Sequence, residues 1–543
     1  MPSFCHRTLA FAAILLGLSA YGAAAQDATK RFAKLKRQYA DARGDHSLQG
    51  ARGLVTIVRR VPEISFADHK KLRAKAEKFL QRIVTGKGSD QMFRVRVAAL
   101  ESLASLAQSK SSASFFLKTL QNNDRSLRTI DYWATRALRN AQDPGFVKAI
   151  AAKGLGHKRA AVRRAVLSGL AKVKTDELRT VVRSEEKLIL KALKDRDELN
   201  RYYAVRLIAA VKLESALPQV IEAAFSKKAL VRMAAAYSLG EFSDKPQAWK
   251  TLSVMLKDPQ ARVREEAVIS CARGAGSKAI PVLIARLDQE PLRIQSAIFE
   301  ALETISGMKG RVARKKSLWE SWWLANREEL LNGNSDADTA KKVKPAGETK
   351  YAVNYYGIPL QSDKVVFVVD ISGSMEFGAE AGGEKRIDVA RKKLLEVVQK
   401  LDKKTQFNVL AFSGSNLYYK SKGLMPCTPE NKRKVSKWIR GLKTGGGTNT
   451  YAALEAIFEE YSKADTLYLL SDGSPSSGKV YQQEHLIAQV HKWNLRRRLR
   501  IHTIALLSGD IPKTGPLADE KNEAARFMKQ LADITGGSFV LED

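Results

Sequence analysis

Two patterns of apolar residues divide the chain. From about Ala51 to Met308, alanines and larger apolar residues recur at helical spacing, interrupted by short polar turns. Beyond Lys350 the pattern changes to short continuous apolar runs separated by longer amphipathic stretches. Val365 to Val369 is five apolar residues in a row, the mark of a strand buried on both faces in the middle of a parallel sheet. Further strands are expected from Phe407 to Phe412, Leu467 to Leu470, Ile501 to Leu507 and Ser538 to Leu541, with an antiparallel edge strand from Leu417 to Lys420. Helices are expected from Arg386 to Leu401, Glu430 to Arg440, Tyr451 to Tyr461, Tyr481 to Trp493 and Glu520 to Ile534. Strand and helix alternate, as a doubly wound α/β sheet requires.

The earlier region repeats itself. An apolar residue followed by Arg and then an Ala-rich helix appears as Val95-Arg96, Leu127-Arg128, Val162-Arg163, Val231-Arg232, Val263-Arg264 and Leu292-Arg293. A weaker copy, Leu199-Asn200-Arg201, has Asn in the Arg position. The apolar markers lie 32, 35, 37, 32, 32 and 29 residues apart, a period that fits two short antiparallel helices and a turn. Such pairs cannot bury their apolar faces alone, so they stack into an α-solenoid. The pattern resembles HEAT repeats, with a shorter period than is usual for that class. The repeated Arg is expected to pair with an acid in the turn of its own or the next repeat, such as Asp124, Asp258 or Asp288.

Trp319, Trp322 and Trp323 fall on one face of a helix that must be covered, which reads as a cap over residues 317–331. Residues 332–350 are polar and aperiodic, a linker that leaves its flanks free to move unless they pack. The expected organisation is therefore a leader at 1–25, a helical repeat domain at 26–316, the cap at 317–331, the linker at 332–350 and an α/β domain at 351–543.

Candidate chemistry gathers where strands end. The run from Val365 stops at Asp370, followed by Ser372 and Ser374 around Gly373, so a carboxylate and two hydroxyls share one turn. Thr466 to Leu470 ends in Ser471-Asp472-Gly473, and between the two runs lies Gly445-Gly446-Gly447-Thr448-Asn449-Thr450. All of these donors are oxygens, which suits a hard divalent cation, and the carboxyl edge of a parallel sheet is where such folds place ligands. Asp-x-Ser-x-Ser with a distant Thr and a distant Asp resembles the metal-ion-dependent adhesion site of von Willebrand factor A (VWA) domains. The resemblance covers roughly the last third of the chain. It implies that Asp370, Ser372, Ser374, Thr448 and Asp472 hold Mg²⁺, or Mn²⁺ or Ca²⁺, with the three hydroxyls binding directly and the two carboxylates acting through water. It also implies an open coordination position for an Asp or Glu of a partner protein.

Charge changes the picture of the first half. The chain of 543 residues has a formal net charge of +35. Residues 351–543 hold 28 Lys and Arg against 22 Asp and Glu, so the excess before position 351 is +29. An extended basic surface of this size attracts anions. His6-Arg7, an apolar run from Leu9 to Leu18 and Ala23-Ala24-Ala25 read as a secretory signal peptide, too short for a permanent span. That address, secreted or periplasmic, favours envelope anions or an acidic protein over nucleic acid. Removal of Cys5 with the leader leaves Cys271 and Cys427 in different domains, so no disulfide framework and no transmembrane segment are expected in the mature protein.

Enzyme chemistry finds little support. There is no G-x-S-x-G turn to present a nucleophile, no Lys after the glycines at 445–447, and no zinc spacing among the seven His. Arg496-Arg497-Arg498 with Arg500 reads as a solvated helix-to-strand connection. The expected function is non-enzymatic: metal-dependent capture of an acidic partner, with the repeats as a basic scaffold. The alternative is a scaffold in which the repeats bind the anion and the metal only stabilises the α/β domain.

Overall fold

The computed structural model describes residues 26–45, 48–64, 70–86, 93–108, 110–121, 129–308, 314–331, 353–378, 383–420, 422–507 and 516–542. The expected leader, the linker, Asp124 and Leu127-Arg128 lie outside them. The chain forms two compact units, Met1–Gln219 and Val220–Asp543.

The described residues of the first unit form helices and the turns between them. Helices α1 (Phe93–Leu106), α2 (Ile130–Ala137), α3 (Ala160–Leu170) and α4 (Glu198–Ala210) pack side by side in one row. A second row contains Lys110–Thr119, Pro144–Gly154 and Asp176–Arg183. Each helix buries the apolar stripe its period supplies, among them Val95, Val162 and Leu199. Asp197 caps α4 by accepting from the N–H groups of Leu199 and Asn200 at 2.8 and 3.3 Å.

The repeated Arg has a fixed job. Arg163 donates from Nε to Asp195 at 2.6 Å and from Nη1 to the His157 carbonyl six residues earlier, also at 2.6 Å. In the second unit Arg232 makes the same two bonds, to Asp258 and to the Ser226 carbonyl at 2.6 and 2.9 Å. Arg264 bonds the Asp258 carbonyl at 2.8 Å, but its acid is Glu290, at 2.9 Å. Asp288, expected as a repeat partner, pairs instead with Lys316, because Glu290 is the buried carboxylate at that turn and Asp288 faces outward. In the weaker copy Asn200 and Arg201 divide the task. Asn200 donates to Asp195 Oδ2 at 2.9 Å and Arg201 to the Asp195 carbonyl.

The second unit begins with the repeat helices α5 (Ala229–Glu241), α6 (Ala261–Ser270) and α7 (Leu292–Ser306), again in one row. Helix α8 (Lys316–Leu331) packs on Ile280–Arg286, with Trp319 and Trp322 buried and edge-to-face at 5.5 Å. Residues Ala261–Gln289 are long and apolar enough to cross a membrane. Half of its most apolar 18-residue window is buried inside the protein, and the stretch is broken by π and 3₁₀ turns over residues 271–279, so repeat packing accounts for its composition.

A mixed sheet follows. Its strands are β3 (Lys364–Asp370), β4 (Gln406–Phe412), β5 (Asn416–Tyr418), β6 (Met425–Pro426), β7 (Thr466–Ser471), β8 (Arg500–Leu506) and β9 (Phe539–Glu542), after a separate hairpin of β1 (Asn354–Tyr355) and β2 (Ile358–Pro359). The order is β5-β4-β3-β7-β8-β9, with β5 and β6 antiparallel to β4 and the rest parallel. Helices α9 (Arg386–Lys400) and α10 (Pro429–Arg440) cover the face carrying Val365, Phe367 and Val369. Helices α11 (Thr450–Glu460), α12 (Gln483–Arg497) and α13 (Pro516–Thr535) pack on the other. The chain leaves β3 first toward β4 and later returns to β7 on the opposite side. The strand order therefore reverses between β3 and β7, the place where open sheets form a binding crevice.

At the other edge of these strands the repeats dock on the sheet. Arg293, in the last copy of the repeat signature, does not make the ladder bonds. It pairs with Glu265 at 2.9 Å and donates to the carbonyls of Asp465 and Arg498. Arg500 reaches the same Glu265 at 3.3 Å, and Arg498 pairs with Glu266 at 2.7 Å. This overturns the expectation of a solvated connection for Arg498 and Arg500, while Arg496 is exposed as expected. Arg497 is also engaged, donating to the carbonyls of Phe458, Tyr461 and Ala464 at 2.9–3.2 Å, at the C-terminal end of α11 and in the turn after it. The two flanks of residues 332–350 are packed together rather than free.

Candidate metal centre

Strand β3 delivers Asp370 at its last position, and the chain then turns sharply through Ser372 into a short 3₁₀ segment, Gly373–Glu376. Asp370 is fully buried. Its Oδ1 accepts the Ser372 N–H at 2.8 Å and its Oδ2 accepts the Ser471 hydroxyl at 2.6 Å. Strand β7, paired with β3 over Val365–Val369, brings Ser471 and Asp472 alongside. The Ser374 hydroxyl donates to Asp472 Oδ1 at 2.9 Å and lies 3.2 Å from the Ser372 hydroxyl. With its proton committed to Asp472, the Ser374 oxygen keeps lone pairs for a cation.

The loop before α11 closes over this turn. Gly373 N–H donates to the Gly446 carbonyl at 3.0 Å, and Gly445 N–H donates to the Ile371 carbonyl at 2.9 Å. Gly446 has φ +77°, a conformation that side chains resist, and a Cβ on Gly447 would stand 2.9 Å from the Ser477 hydroxyl. Glycine at these two positions lets Thr448 be held close. Thr448 is buried, its N–H donates to the Ser476 hydroxyl at 2.9 Å, and its carbonyl accepts the Ser476 N–H at 3.0 Å. Asn449 caps α11 through the Ala452 N–H at 3.1 Å. Asp370, Ser372, Ser374 and Asp472 thus share one hydrogen-bonded cluster, and Thr448 sits on the loop bonded to it.

The electrostatics suit a cation. Burial, together with the charge of Asp472, pushes the Asp370 carboxyl up to about 7, against bonds from Ser471 and Ser372 that hold it down. Burial also raises Asp472, opposed by Ser374 and by Arg386, whose Nη1 lies 3.0 Å from Asp472 Oδ2. Two buried carboxylates with hydroxyl neighbours, and neither sulfur nor imidazole, form a donor set that fits Mg²⁺ or a similar hard ion. Three contributors went unassigned in the sequence. Ser471 and Ser476 are ordinary residues whose roles depend on which loops meet. Arg386 was visible only as the start of a helix.

Comparison with known proteins finds the same two kinds of element. A model of the von Willebrand factor type A domain matches residues 365–474, and a model of HEAT repeats matches residues 186–269. The chain carries a VWA domain behind HEAT repeats. The chain is 28% identical over 181 residues to human von Willebrand factor A domain-containing protein 3B, covering 33% of this chain and 12% of that protein. It is 27% identical over 206 residues to bovine inter-alpha-trypsin inhibitor heavy chain H3, covering 36% of this chain and 22% of that one. The chain therefore spans less than a quarter of the length of these relatives. Among solved structures, a von Willebrand factor type A protein from Catenulispora acidiphila aligns at 16% identity and a TM-score of 0.26, covering 33% of this chain and 38% of that one. A VWA domain points to protein–protein interaction or adhesion as the general role.

Proposed function

We propose that this protein captures an acidic partner protein through a divalent cation held by Asp370, Ser372, Ser374, Thr448 and Asp472, and that it does so outside the cytoplasm without catalysing a reaction. The observation that carries the reading is the cluster itself: two buried carboxylates and two hydroxyls meet at the strand-order reversal, with the Thr448 loop bonded over them. Bound there, a hard divalent ion supplies an electrophilic position for a partner's carboxylate. The chain's own part is to orient the donors. Ser471 and the Ser372 N–H fix Asp370, Asp472 fixes Ser374, and Ser476 fixes the Thr448 backbone. Mg²⁺ or Mn²⁺ raises the melting temperature of the full chain, and Asp370→Ala removes both that shift and partner capture. Partner binding that is unchanged in chelator rejects the reading.

One observation favours a second reading, in which the repeats bind an anionic surface and the metal only stabilises the VWA domain. In the first unit Lys172 is half-buried, and its ammonium is pulled down to about 8 by burial and by Arg136, Arg139 and Arg206 facing it. Under that reading, binding falls steeply with added salt and ignores chelator.

A further inference from the structure

An all-oxygen cation site has no evident use for a guanidinium, yet Arg386 is built into this one. Arg386 is the first residue of α9, and its N–H donates to the Phe377 carbonyl at 3.2 Å. Lys385, just before it, pairs with Glu376 and forms an antiparallel bridge with Gly378, tying the helix start to the end of the Asp370–Ser374 turn. The Arg386 side chain is only 16% exposed, and that of Asp472 is fully buried. Arg386 Nη1 donates to Asp472 Oδ2 at 3.0 Å and to the Ser374 carbonyl at 3.2 Å. Asp472 Oδ1 is meanwhile occupied by the Ser374 hydroxyl. Both oxygens of the distal carboxylate therefore have partners, and one partner carries the charge a metal would bring.

We infer that Arg386 is a resident counter-cation that shares Asp472 with the metal and makes firm retention of the ion depend on the partner's acid. This rests on the metal-site reading above. The guanidinium offsets the charge of Asp472, so the site is less negative with Arg386 than without it. A divalent ion entering beside a fixed positive group in a poorly solvated pocket meets repulsion that solvent screens little. An incoming carboxylate supplies the missing negative charge, so metal and partner each raise the other's affinity, and by the same factor.

The test is calorimetric titration of the full-length protein with Mg²⁺ alone, comparing wild type, Arg386→Gln, Arg386→Lys and Asp370→Ala. Arg386→Gln is expected to bind Mg²⁺ at least tenfold more tightly than wild type, and Arg386→Lys, which keeps the charge, to stay within about threefold of it. In chelator Arg386→Gln melts below wild type, since Asp370 and Asp472 then lack a counter-charge, and Mg²⁺ restores it. Should it be too unstable to handle metal-free, it is prepared with Mg²⁺ and the affinity read by chelator competition. Equal or weaker Mg²⁺ binding by a folded Arg386→Gln overturns the counter-cation role while leaving the metal site standing. Absence of saturable Mg²⁺ and Mn²⁺ binding in wild type and Arg386→Gln alike overturns the metal site itself.

Discussion

Glu265 is the residue whose removal tests the docking of repeats on sheet most sharply. Its carboxylate is 10% exposed and faces two guanidiniums, Arg293 at 2.9 Å and Arg500 at 3.3 Å, which are themselves 10% and 14% exposed. Burial pushes its carboxyl up, but Arg293 and Arg500 overcome this and hold it below the usual carboxylate range. Glu265→Gln keeps the volume and leaves two arginines without their shared charge. Breaking a buried pair by removing one partner costs about 3–5 kcal/mol, most of it the penalty for stranded charge. Arg293 keeps bonds to the Asp465 and Arg498 carbonyls, so the lower end, about 3 kcal/mol, is expected. The assay is equilibrium urea unfolding of the full chain, followed by tryptophan fluorescence. Residues 220–543 are expected to unfold in one transition in the wild type, and Glu265→Gln to move the VWA transition away from that of the repeats. Adding Arg500→Met to Glu265→Gln recovers part of the loss, because one of the stranded charges goes with it. A loss below about 1 kcal/mol, or a double variant whose loss equals the sum of the singles, refutes the view that this carboxylate holds the two parts together.

Other outcomes follow from the same structure. His502 is buried against Tyr468 at 4.8 Å and its ring is pulled down to about 3 by burial, then by Arg500 and Arg293. Its stabilising contribution is complete above an unfolded value of about 6.5 and is lost as pH falls, amounting to about 2 kcal/mol by pH 5. His502→Asn should flatten the stability profile between pH 7 and 5, measured by urea titration. A Cβ on Gly274 would lie 1.9 Å from the Gly240 carbonyl oxygen, backbone that no rotamer change can move. Gly274→Ala is therefore expected to cost about 3 kcal/mol in the same assay, whereas alanine at Gly307, where a Cβ meets nothing, pays only for its φ of +70°. In the first unit the Asp195 carboxyl is raised by burial but brought down to about 2 by bonds from Arg163, Asn200 and the Asp197 N–H. Its contribution is present above an unfolded value of about 3.9 and disappears as pH falls through 2. Asp195→Asn should thus cost about 2.5 kcal/mol at neutral pH and much less near pH 2, by thermal melts across pH.

Much of this was legible in the residues because local and global signals agree. The run Val365–Val369 has a use only inside a parallel sheet, and Asp370 could end it only at the carboxyl edge. Residues 386–400 and 429–440 show helical periods strong enough to place their ends within a residue or two. Strands of two residues carry no period, so the hairpin Asn354–Tyr355 with Ile358–Pro359 and the pairing of Met425–Pro426 were missed. Tyr356 and Gly357, both at positive φ, make the hairpin turn, but a Tyr there gives no turn signal. Arg498 and Arg500 were misjudged for another reason. Charge looks solvated until the fold reveals which buried acids it meets, and Glu265 and Glu266 are more than 200 residues away.

Strand β7 connects the two ends of that arrangement. It enters the sheet next to Asp465, whose carbonyl Arg293 grips, and it leaves at Ser471 and Asp472. At about 3.3 Å per residue, some 20 Å of fully buried backbone separates clamp from chemistry. A rod seated so firmly at its foot has little play at its tip. The oxygen donors inherit their aim from masonry laid by the helical repeats, and trimming those repeats away should blur it even where every coordinating side chain is left intact.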